Sequence, residues 1–166
     1  MKQVWSFTLI LLTLASFAQK QPVKNLRILE VIDADSILIV PLKAYYNLGS
    51  YPYPYRVFDP DFSLMIEDLH DIKESIRGIF ELAAFNDCRA NKQYNKEYTE
   101  RVANSFLDTL IKRNVFDPTE IIAKGYGESW LLNDCRCENG IGPGINCTKQ
   151  DHQKNRRFWL IIRPVD

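Results

Sequence analysis

The chain has 166 residues, 46% of them hydrophobic, and its 21 lysines and arginines balance 21 aspartates and glutamates. That length suits one domain able to bury a real core without depending on staples. The charge balance argues against an electrostatic grip on nucleic acid or on an anionic membrane.

Met1 and Lys2 precede an apolar run, VWSFTLILLTLASFA, that is short for a membrane span and ends in small residues. This is the pattern of a secretory signal peptide over residues 1–18. Ser16 and Ala18 suit a cleavage that leaves Gln19 first, and no cysteine follows the cut for a lipid anchor. An uncleaved anchor is the competing reading, weakened because nothing after Gln19 is apolar enough to be a span.

Residues 19–42 read as an N-terminal extension with short strands. LRILEVI and SILIV are β-prone and are split by Asp33-Ala34-Asp35. The domain proper is expected over 43–166. LKAYYNL reads as a strand running into YPYPY, where Pro52 and Pro54 forbid regular pairing. Asp59 and Pro60 then supply a cap and a first-turn proline. Phe62, Met65, Ile66, Leu69, Ile72 and Ile76 follow at helical spacing, which predicts a helix from about Pro60 to Ser75. GIFELAAF is apolar enough to be a strand buried on both faces. Tyr94, Tyr98, Val102, Phe106 and Leu110 form one stripe of a second helix, roughly Gln93 to Arg113. EIIAKGYG and FWLIIRP read as strands separated by a cysteine-rich loop. This order predicts helices packed on a sheet, an α/β sandwich.

In an exported chain the four cysteines are expected to pair as two disulfides. A Cys135–Cys137 bond would close a ring with one intervening residue and strain the bridge. That leaves Cys88 with either Cys135 or Cys137, and Cys147 with the other. A zinc site from Cys135, Cys137, Cys147 and His152 is the rival, although C-x-C lacks the usual gap between ligands. His70 and His152 are the chain's two histidines, and no nucleophile elbow, paired-acid or H-E-x-x-H motif accompanies them. Neither an enzyme nor a cofactor nor a bound metal is expected.

From Asn86 to Ser129 the pattern becomes specific. Asp87, Tyr94 and Asn95, Thr99, Ala103, Gly125 to Glu128, and Asn155 to Arg157 stand at the spacings of a T-D, a Y-N, an L-S-x-x-R-A, a G-x-G-E and an N-R-R. In these residues the chain resembles the OmpA-like domain family over about Ala44 to Pro164. The resemblance implies a βαβαβ two-layer sandwich, with helices packed on one mixed sheet and the strand-bearing extension before it. It also implies residence in the periplasm, at the outer membrane or cell wall, with peptidoglycan and other envelope proteins as partners. Attachment in the family is non-covalent, through the diaminopimelate of the stem peptide. Such a ligand carries an ammonium and carboxylates, so its site needs an acid, a base and free amides at a helix start.

The resemblance therefore makes Asp87, Asn95, Arg101 and Arg89 the candidate peptidoglycan contacts, and Gly125 and Gly127 structural turn residues. The family arginine is Val102 here, however, and Arg101 is turned by about 100 degrees from that position. Loss of one charge-assisted contact costs about 1.5 to 3 kcal/mol, so weakened binding is expected. Arg89, Lys92, Arg101, Arg156 or Arg157 could compensate. Each sharp reading also has a bland one: Asp87 a helix cap, Asn95 a loop brace, Val102 a core residue, the late arginines partners for helix carboxylates. An envelope module that has lost binding is the alternative function.

Overall fold

The computed structural model describes residues 30–32, 37–46, 62–135, 137 and 147–165. The expected signal peptide, the YPYPY stretch and Asp59-Pro60 lie outside them. Eight elements follow in chain order: strands β1 (Glu30–Ile32) and β2 (Ile37–Tyr45), helix α1 (Phe62–Ser75), strand β3 (Gly78–Phe85), helix α2 (Lys92–Lys112), strand β4 (Ile121–Gly127), helix α3 (Lys149–Asn155) and strand β5 (Arg157–Pro164). The strands form one sheet in the order β1-β2-β5-β3-β4, with β3 and β4 parallel and the other neighbours antiparallel.

The strand expected in the N-terminal extension is thus integral to the sheet, because β2 runs through residue 42 and pairs with β5 along most of its length. Pro41 does not break it. Pairing with β1 spans Ile37 to Ile39, so the missing proline N–H falls beyond that ladder.

Alternation along the strands makes two apolar faces. Val40, Leu42, Phe80, Leu82, Ala84, Phe158, Leu160 and Ile162 meet Met65, Leu69 and Ile72 of α1 and Tyr98, Val102, Phe106 and Leu110 of α2 in the main core. On the opposite face Ile39, Ala83, Phe85, Trp159 and Ile161 form a smaller cluster. β3 is therefore buried on both sides from Phe80 to Phe85, as its largely apolar run predicts, with the one acid, Glu81, held by Tyr126 and Arg163.

Helix α2 begins at the N-cap Asn91, whose side chain accepts the Tyr94 N–H at 2.8 Å. It ends with Asn114 in the left-handed region, φ 57°. No described helix is long and apolar enough to cross a membrane.

A third helix, α3, stands where the sequence reads as loop. Within the segment taken as loop, Thr148 caps α3 in a reciprocal box with Asp151, a signal that the T-x-x-D spacing carries.

Candidate functional site

Antiparallel register sets Phe85, the last residue of β3, opposite Arg157, the first of β5. The residues just outside that pair, Asp87 and Arg156, consequently meet although 69 positions apart. Asp87 is 1% exposed. One carboxylate oxygen accepts the Arg89 backbone N–H at 3.0 Å and its Nε–H at 3.2 Å, and the other accepts Arg89 Nη2–H at 2.9 Å. Arg156 Nη1–H donates to this second oxygen, and His152 Nδ1 stands 4.0 Å from it. Arg156 is itself held, giving Nε–H to the Tyr46 carbonyl at 3.3 Å and Nη2–H to the Gln153 side chain.

The acid thus faces inward between two guanidinium groups. Burial pushes its pKa up, but the hydrogen bonds from Arg89 and Arg156 outweigh that and hold it below the usual aspartate value.

Asn95 is fully buried beneath the same loop. Its Nδ2 donates to the carbonyls of Asp87 and Ala90, each at 3.1 Å, and to the Glu128 carboxylate, while Oδ1 accepts from Asn86 Nδ2 at 2.7 Å. In the structure it braces the loop. Arg101 points along α2, its guanidinium 6.0 Å from the Tyr98 ring centroid. Val102 is 1% exposed and belongs to the main core.

Gly127 has φ +59°, the left-handed conformation expected of it. Gly125 differs from expectation. It lies inside β4, where a Cβ would sit 2.1 Å from the Glu100 backbone nitrogen, so it is glycine because α2 approaches closely rather than because a turn requires it. Glu100 accepts the Gly125 N–H at 2.7 Å, and Thr99 Oγ accepts that of Gly127 at 2.9 Å. These bonds lock α2 onto β4.

The N-R-R splits into three tasks. Asn155 accepts the Leu132 N–H at 2.7 Å and so holds the loop after β4. Arg156 reaches Asp87. Arg157 lies 4.3 Å from the ring centroids of both Phe85 and Trp159 and donates to the Trp130 carbonyl at 2.8 Å. Arg156 thus pairs with the loop acid Asp87 rather than with a helix carboxylate.

All four cysteines are oxidised, as Cys88–Cys137 and Cys135–Cys147, which leaves none as a thiolate for zinc. Of the two pairings open in sequence, this is the one adopted. It fastens the long loop to the residue beside Asp87.

No family model matches the sequence, and no curated protein matches it. Solved structures do. The periplasmic domain of Helicobacter pylori MotB (residues 78–256) is 19% identical, with 82% of this chain and 81% of that one covered and a TM-score of 0.54. A putative MotB-like protein from Desulfovibrio vulgaris is 16% identical over 78% of this chain and 75% of that one, with a TM-score of 0.51. The cell wall anchor of the type VI secretion system from Pseudomonas aeruginosa is 14% identical over 78% and 81%, with a TM-score of 0.50. These likenesses show architecture, and with the motifs around Asp87 and Gly125 they establish that the chain has the OmpA-like α/β fold.

Proposed function

We propose that this chain is an exported domain of the cell envelope that attaches non-covalently to peptidoglycan, in the periplasm against the cell wall or outer membrane. It acts by binding, with no catalytic step and no cofactor. The fold shared with a cell wall anchor and with MotB periplasmic domains supports this reading. The observation that carries it is that shared fold; Asp87, the motif acid before α2 where the resemblance expects a diaminopimelate ligand, faces inward and is already paired with Arg89 and Arg156, so attachment requires that pairing to open.

The same cluster sets the strength of attachment. Arg89 occupies Asp87 as a ligand ammonium would, and its side chain is 30% exposed whereas that of Arg156 is 8% exposed. An incoming ammonium displaces Arg89 first. Giving up one charge-assisted contact of about 1.5 to 3 kcal/mol lowers affinity roughly ten- to a hundredfold.

A second reading, an envelope module that no longer binds, is favoured by one observation, the 1% exposure of an acid that is already neutralised. Cosedimentation of the mature domain with purified sacculi separates the two. On the binding reading the wild type pellets weakly and Arg89→Ala pellets about tenfold more strongly. If both stay in the supernatant, the module reading holds.

A further inference from the structure

The loop after β4 presents an aromatic residue that folding leaves uncovered. Trp130 is 47% exposed, yet it is firmly placed. Its ring centroid lies 5.6 Å from Trp159, 9% exposed, and 6.3 Å from the fully buried Phe85, tilted 57° and 51° to them. Its carbonyl is held by Arg157, whose guanidinium rests on those same two rings. An indole fixed at backbone and ring edge, with half its surface in water, gives up apolar burial that a small inward shift would recover. Such an arrangement is a rigid platform.

The platform opens on a groove of about 810 Å³ between α2 and the loop, also lined by Lys92, Lys96, Tyr126, Glu128 and Asn133. Lys92 and Lys96 stand one helical turn apart on the exposed flank of α2. Lys96 is anchored on the Gly125 carbonyl and lies 5.5 Å from the Tyr126 ring centroid, and Glu128 is anchored by Asn95. The walls thus set fixed donors beside fixed acceptors, around a flat apolar face.

That combination matches a pyranose ring, which has an apolar C–H face for stacking and hydroxyls and acetamides at its edge. Lysines interleaved with Glu128 and Asp134 favour a neutral ligand over an anionic one. We propose that the groove beside Trp130 is a saccharide subsite for an N-acetylated hexosamine strand. The inference deepens the peptidoglycan reading above by adding the glycan strand as a second point of contact; the groove adjoins the Asp87 cluster through Cys88 but takes none of Asp87, Arg89 and Arg156.

Chitotetraose, which carries acetamido sugars and no stem peptide, is the probe. Titrated into the oxidised mature chain, it is expected to give saturable calorimetric binding with a blue shift of tryptophan fluorescence. Trp130→Ala is expected to weaken binding about tenfold or more and Trp130→Phe less, whereas Lys112→Ala, in the last turn of α2 and outside the groove, leaves it unchanged. Lys92→Ala, an exposed substitution, tests the groove independently of the aromatic cluster and is expected to weaken binding severalfold. No saturable binding by the wild type, or equal binding by wild type, Trp130→Phe and Lys92→Ala, overturns the subsite. Pelleting with sacculi but no chitotetraose binding sinks this inference and leaves the proposed function standing. Chitotetraose binding without pelleting does the reverse.

Discussion

A carboxylate taken out of water is tolerated when its charge is matched and its lone pairs are filled, and Asp87 meets both conditions through Arg89 and Arg156. The two arginines are not equivalent. Arg156→Ala would leave a buried acid short of its buried partner and is expected to destabilise the domain by about 3 to 5 kcal/mol in denaturant melts. Arg89 is partly solvated, so Arg89→Ala should cost less, about 1.5 kcal/mol, the lower end for a charge-assisted contact. Equal losses for the two would mean that the inward pairing is not as described. Val102 raises a related point. Val102→Arg would not rebuild a ligand contact, because it places an unpartnered guanidinium between Tyr98 and Phe106 in the core. It should lower the melting temperature sharply rather than increase pelleting with sacculi. The pH dependence follows from the sign of the Asp87 shift. Its pKa is lower in the folded chain, so the stability it contributes is complete above the unfolded value of about 3.9 and is lost as pH falls through the folded one. Asp151, with a pKa of about 2 set by Thr148 and Lys154, adds to the same acid-side loss. Acid melts of Asp87→Asn should therefore be flatter than those of the wild type as the pH falls below about 4.

Helix α2 packs its backbone directly onto β4, and the interface turns on a missing side chain. Gly125→Ala would drive a methyl carbon into backbone nitrogen and carbonyl carbon of α2, atoms that no rotamer change can move. A loss of about 3 kcal/mol is expected by chemical denaturation, with the Glu100 and Thr99 bonds strained together. A loss below about 0.5 kcal/mol would contradict so close a contact. The same interface shows what was legible beforehand. Long elements with an apolar stripe, α1 and α2, could be read to within a residue or two, because burial of that stripe is what stabilises them. Helix α3 could not: it has seven residues and no stripe, and depends on a polar capping box that only local spacing betrays. At the site, the acid and several candidate arginines were visible as motif or loop residues, but which of them meets the acid was not. Asp87 and Arg156 meet because β5 inserts between β2 and β3, and that strand order is not written in any local pattern.

At the scale of the whole molecule, the disulfides decide how firmly the site is held. Cys88–Cys137 spans 49 positions and Cys135–Cys147 spans 12, so the first removes far more freedom from the unfolded chain than the second. Loop-closure entropy puts the larger ring at about 4 kcal/mol and the smaller at about 3. The larger bond also joins α2's approach to the loop that carries Trp130, so it constrains the surroundings of Asp87 and the aromatic platform together. In the oxidised protein, alkylation without reductant should add no mass, whereas alkylation after reduction should add four equivalents, one for each cysteine. Calorimetry of paired Cys→Ser variants should then rank the bonds. A chain of this size shifts by about 2 to 4 °C per kcal/mol, so removing Cys88 and Cys137 should lower the melting temperature by roughly 8 to 16 °C, and removing Cys135 and Cys147 by somewhat less. The larger loss should be accompanied by weaker pelleting with sacculi, because the loop beside Asp87 is then tied down by hydrogen bonds alone. If the order of the two losses is reversed, strain or residual structure outweighs ring size, and the loop does not depend on its longer staple.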